Sequence, residues 1–235
     1  MTSKHIVGLI VGIGAFFVGK SVASNAVDAY RLRSWKGNTP YERAFARALR
    51  AENAFDDLVR FVRNAESQAI ARDSASYLTR NGLMRLSPDD QALRLTLIDQ
   101  ALGATSVESC AAYHAGTSPA ATVTALTAAM DSSSLDQFSR VVVRAMLAEI
   151  RQTREPATAS EQQTIDFFED VAASLDSASS TRLLDALTQP HTAAPRDMCW
   201  AGRTLYQTAL AKEGEARAEA VRVITAIEAS SPAPR

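Results

Sequence analysis

Leu135, Phe138, Val142, Met146 and Ile150 recur at steps of three and four residues, the clearest helical period in the chain. The same spacing, less regular, recurs elsewhere. Phe45 and Leu49 share a face, as do Leu58, Phe61 and Val62, then Leu93, Leu97 and Ala101, then Val123, Leu126 and Met130. Further on come Ile165, Phe168, Val171 and Leu175; Leu183, Leu184 and Leu187; Leu205 and Ala209; and finally Ala220, Val223 and Ile224. No period-two alternation runs beyond a few residues. The pattern predicts an all-α chain, with about eight to ten helices in one irregular domain over 40–229.

Punctuation supports this division. Thr39-Pro-Tyr-Glu42 reads as a capping box with proline in the first turn, and Ser87-Pro88 and Ser118-Pro119 repeat the start. Thr105-Ser-Val-Glu108, Asp131 and Ser160 open three more helices, while Asn81-Gly82, Gly103 and Gly116 read as stops. The three Thr/Ser-Pro starts are unevenly spaced and no repeat motif accompanies them, which argues against a solenoid.

One stretch departs from this amphipathic pattern. Ile6-Val-Gly-Leu-Ile-Val-Gly-Ile-Gly-Ala-Phe-Phe-Val18 is continuous apolar sequence, flanked by Lys4 and His5 before it and Lys20 after it. A bilayer core needs about 20 residues of helix. Residues 4–23 reach that length when Lys20 snorkels to the headgroups. The reading is an uncleaved membrane anchor over 1–30, a linker over 31–39 and a tail over 230–235. A cleaved signal ending near Ala23 or Ala26 is the rival, and Lys20 between the apolar run and those sites counts against it. Gly8, Gly12, Ala15 and Gly19 fall on one face of such a helix. Small residues there let backbones approach closely in lipid, so a second copy or a membrane-protein partner is expected on that face. Gly14-Ala-Phe-Phe-Val-Gly-Lys20-Ser21 also matches the phosphate-loop pattern GxxxxGK[ST]. Its bulky apolar interior would sit in water beside the nucleotide, and no apolar strand ending in a metal-binding Asp follows. The match is discounted.

The net charge of −1 excludes a general electrostatic attraction to nucleic acid, and none is expected as a partner. Charge is uneven locally. Residues 31–63 carry eight basic side chains against four acidic ones, with Arg43, Arg47 and Arg50 in a stripe, whereas 157–186 carry six acids against Arg182. Basic residues just after an anchor favour a cytoplasmic domain, yet a basic N-terminus before an apolar run also resembles an export signal. The exported, periplasmic side of an inner membrane is the adopted placement and the cytoplasmic side its alternative.

Two cysteines, Cys110 and Cys199, bear on that choice, because an even pair in an oxidising compartment forms a disulfide. With His114 and His191 the same cysteines make the strongest candidate for zinc or Cys–His chemistry, but their spacing matches no common motif. Asp166, Glu169 and Asp170 resemble the carboxylates of bundle metal sites but lack a Glu-x-x-His partner. The serines at 132–134 have no Gly-x-Ser-x-Gly context. No cofactor is implied. The reading is a membrane-anchored, non-catalytic adaptor or scaffold in a bacterial-type envelope assembly. The alternatives are an exported soluble ligand-binding module, or a hydrolase or metal enzyme using Cys110, His114 and His191.

Overall fold

The computed structural model describes residues 34–64, 77–117, 119–190 and 192–230. These residues are all-helical, as the periodicity predicts, with no strand among them. The anchor stretch, including Gly8, Gly12, Ala15 and Gly19, lies outside the described residues. No helix among those described is long and apolar enough to cross a membrane.

In chain order the helices are α1 Pro40–Ala51, α2 Phe55–Asn64, α3 Pro88–Ala104, α4 Val107–His114, α5 Pro119–Ala129, α6 Ser132–Arg151, α7 Glu161–Ala173, α8 Ser177–Thr188, α9 Pro195–Ala211 and α10 Gly214–Ser230. A further helical stretch covers 77–83. Most starts follow the local signals. Thr39 caps α1 with Glu42 returning the bond, Ser160 and Gln163 do the same for α7, and Ser87 and Asp131 cap α3 and α6. At α4 the cap is Ser106 rather than Thr105, its hydroxyl accepting from the Ser109 N–H.

Contacts divide the chain into two compact units. The first contains the described residues up to Leu86 together with Asp131–Pro156. Here α1 and α2 pack on α6 around Phe45, Leu49, Phe55, Leu58, Leu78, Val143 and Met146. Around this apolar seam, ion pairs join α6 to the first two helices: Arg47–Asp136, Arg144–Glu52 and Arg151–Asp57. All three are partly exposed, so each adds only a few tenths of a kcal/mol, up to about 1 kcal/mol. Arg85–Glu149 is different. Both side chains are nearly buried, and Arg85 also donates to the Arg154 carbonyl, fixing the end of α6 and the loop that follows it.

One expectation fails in this unit for a clear reason. Gly82 does not stop a helix. It lies within the helical stretch, and a Cβ added there would stand 1.8 Å from the Ala145 carbonyl oxygen. Its missing side chain permits backbone-to-backbone approach to α6. Left-handed backbone at non-glycine positions of this unit is found at Asn53, after α1, and at Gln152, after α6, each with φ of 51°. Gly82→Ala is therefore expected to lower the stability of this unit by about 1–3 kcal/mol through overpacking. A denaturant midpoint within error of the wild type would remove this assignment.

The second unit is Ser87–Met130 with Ala157–Arg235. Helix α9 is its central element, packed against α3, α4, α7, α8 and α10. The α3–α10 and α4–α5 pairs extend the packing around Leu95, Ile98, Leu126, Leu183, Met198 and Val221. In α7 the apolar face is rotated from its expected position. Phe167 and Val171 are buried, whereas Ile165 is exposed and Phe168 only half-buried. Gly103 is likewise no stop, since α3 runs on through Ala104.

Candidate functional site

Helices α4 and α9 carry the side chains on which a chemical reading depends. Cys110 on α4 and Cys199 on α9 are joined as a disulfide, with Cα atoms 5.2 Å apart. The bridge was expected from the pairing of the only two cysteines, and it removes both thiolates from metal binding and nucleophilic roles. His191 lies outside the described residues. The Cys/His reading thus retains His114 alone.

His114 is four residues beyond Cys110 and so projects from α4 on the same side, towards α9. Its ring lies against the backbone of Gly202, where an added Cβ would fall 2.1 Å from Cγ of the imidazole. Edge contacts to Tyr113 and Tyr206, with centroids 5.3 and 5.2 Å away, hold it from two further sides. The residue keeps a partly accessible edge, but Nε2 is enclosed and has no hydrogen-bond partner. Burial pushes the imidazole down to about 4; Asp99 pulls it upward and Arg203 adds to the depression. The ring is therefore neutral at pH 7.

Beyond Tyr206 lies a buried polar network. The Tyr206 hydroxyl donates to Glu228 Oε1, and Arg94 Nη1 donates to Oε2 of the same carboxylate at 2.5 Å. Tyr113 lies beside Tyr206 and feels the charges of Glu228 and Arg94. Burial alone would weaken the hold of Arg94 on its proton, but the Glu228 carboxylate more than reverses this and keeps the guanidinium charged. Burial also pushes Tyr113 up to about 12, and Tyr206 well above its ordinary range, with Glu228 adding to both shifts. The phenols remain protonated donors, and the charges cancel within the network. This arrangement ties α3, α4, α9 and α10 together. Next to it, Arg203 on α9 donates from Nε to Asp99 of α3 at 2.8 Å, and Gln207 donates to the same carboxylate.

The chain matches no family model, no curated protein and no solved structure.

The other sequence candidates are placed as follows. Arg47 pairs with Asp136, Arg43 donates to the Asn38 carbonyl and Arg50 to the Trp35 carbonyl, so each arginine of the stripe bonds within the first unit. Asp166, Glu169 and Asp170 are exposed, with Gln162 on Asp166 and Lys212 on Asp170. Among the described residues no group of three or more His, Cys, Asp or Glu is disposed to hold a metal. A shallow surface depression in the second unit is lined by Ala159, Thr164, Ala226, Ile227 and Ser230. It contains no ionisable side chain. Sequence reading missed the Arg94–Glu228–Tyr206–Tyr113 network. Its only local signal is Arg94 among the apolar positions of α3, where Gln91 and Arg94 are both buried.

Proposed function

We propose that the chain is a membrane-tethered, non-catalytic helical domain that serves as an adaptor or scaffold in a bacterial-type envelope assembly, with the disulfide-bearing unit on the exported side. The observation that carries the placement is the intramolecular Cys110–Cys199 bridge, which uses every cysteine in the chain. Such bridges persist in oxidising compartments and are rare in the cytosol. The apolar stretch 6–18 supplies the tether, and the face of Gly8, Gly12, Ala15 and Gly19 supplies the contact for a second copy or another membrane helix.

The non-catalytic part rests on how the buried charged groups are used. Arg94, Glu228 and Tyr206 answer one another, and Arg85 answers Glu149. Groups satisfied in this way fix packing, whereas a catalytic acid or base needs a face open to a substrate.

Fractionation tests the reading. The protein is expected to stay with membranes after a high-salt wash, to keep its N-terminal residues in the mature mass, and to resist alkylation until reduced. A mature N-terminus at Ser24 or Val27 would overturn the tether. Alkylation of both cysteines without reduction would overturn the exported placement.

A further inference from the structure

We propose that His114 is an acid-sensitive latch that holds the last turn of α4 on α9, and that protonation of its ring releases this turn while the disulfide keeps the rest of α4 in place. The inference stands apart from the membrane reading, since it depends only on the geometry of the second unit.

Three observations meet at this ring. The first is its fit: Gly202 leaves a slot on the α9 backbone that would not admit a Cβ, and the imidazole occupies it. The second is the enclosed Nε2, which has no acceptor. A neutral imidazole can leave that nitrogen as an unprotonated lone pair at modest cost. An imidazolium must place an N–H and a positive charge there, and a buried charge without a partner is strongly unfavourable. The third is the anchor. Cys110 is bonded to Cys199 one turn before His114, so α4 cannot leave as a whole. What remains free to lift is the stretch from His114 through the turn at 115–117. There Ala115, Gly116 and Thr117 donate to Ala111, Tyr113 and Ala112, and Gly116 has φ of +66°.

The surrounding charges do not rescue the protonated ring. From α3 come Asp99, which would attract it, and Arg94. The Asp99 carboxylate is already held by Arg203 and Gln207 of α9. Arg203 itself repels the imidazolium. Tyr206 of α9 and Tyr113 of α4 stand roughly perpendicular to the ring, and burial keeps both phenols protonated and neutral, so neither supplies a counter-charge. Glu228 of α10 is occupied by Arg94 and Tyr206. Helix α5 carries no titratable residue.

The sign follows from linkage. The ring titrates near 4 in place and near 6.5 when released, so the released form binds more protons between these values. The latch is closed above about pH 6.5 and weakens as pH falls towards 4. Opening of the 115–117 turn should become roughly 50–100-fold more frequent between pH 7.5 and pH 4.5.

Hydrogen exchange on the oxidised full chain, corrected for the intrinsic rate at each pH, provides the test. In the wild type, protection of the Ala115, Gly116 and Thr117 amides should fall by that factor while α10 amides hold. In His114→Phe, which keeps an aromatic ring but cannot titrate, protection should stay level. An equal loss in α10, or the same loss in the phenylalanine variant, would overturn the latch. A second measurement covers the case in which the variant fails to fold: the titration of the His114 ring in the wild type, followed by NMR. A midpoint near 4, with protection falling progressively from about pH 6.5 and levelling off near that midpoint, supports the proposal. A midpoint near 6.5, or unchanged protection across the titration, overturns it.

Discussion

Replacing Cys110 and Cys199 together by alanine is expected to destabilise the second unit by about 4–5 kcal/mol, the largest effect of any pair of substitutions proposed for this protein. The bridge closes a sequence separation of 89 residues, and in the chain-entropy view a loop of that size greatly restricts the unfolded ensemble. Cys110 is fully buried, so alanine is a better replacement than serine, which would leave a hydroxyl in an apolar site. The two tryptophans separate the units conveniently. Trp35 packs against the core of the first unit, and Trp200 lies on α9 under the Arg182 guanidinium, 4.5 Å from ring centroid to Cζ. A Trp35→Phe background therefore reports the second unit alone. The Trp200 denaturation midpoint should drop sharply in the alanine pair, and by a similar amount when the wild type is reduced. A change below about 1 kcal/mol would show that the loop-closure argument fails here.

The second large effect concerns Arg94 and Glu228. Glu228→Leu is expected to cost about 3–5 kcal/mol, because it strands a buried guanidinium and removes the acceptor of the Tyr206 hydroxyl. Arg94→Met alone should cost less, since Glu228 keeps the Tyr206 donor and has more access to solvent. The double variant Arg94→Met/Glu228→Leu should recover much of the loss, as paired removal leaves no uncompensated charge. A double-mutant cycle in the Trp35→Phe background measures this coupling directly. Additive losses would mean that the two side chains act independently and that the network reading is wrong.

These two features differ in how far the sequence announces them. The cysteine pairing is legible because only one pairing exists. Helix starts are legible because an N-cap is a local device: Thr39, Ser87, Asp131 and Ser160 each bond to the N–H three residues ahead. The Arg94–Glu228 pair spans 134 residues, and nothing near either residue points to the other. Glycine proved the least legible residue. Gly116 takes the left-handed conformation its position suggests, but Gly82 and Gly202 are needed because a neighbouring element lies where Cβ would be. Close approach of that kind is decided by tertiary packing and leaves no local signature. The rotated face of α7 has the same origin: adjacent Phe167 and Phe168 offer two plausible inward directions, and packing against α10 and its neighbours selects Phe167.

The interleaving of the two units also orders events during synthesis. Helices α1 and α2 emerge first but cannot cover their apolar faces until α6 follows, and in the second unit α3 and α4 wait for α9. At about 5–20 residues per second, Cys110 remains a free thiol for roughly 5–20 s before Cys199 is made. Throughout that interval it is open to mixed-disulfide capture by any oxidant or foreign thiol it meets. Folding yield should therefore depend on the redox environment of the nascent chain more than on that of the finished protein, whose Cys110 is sealed from solvent.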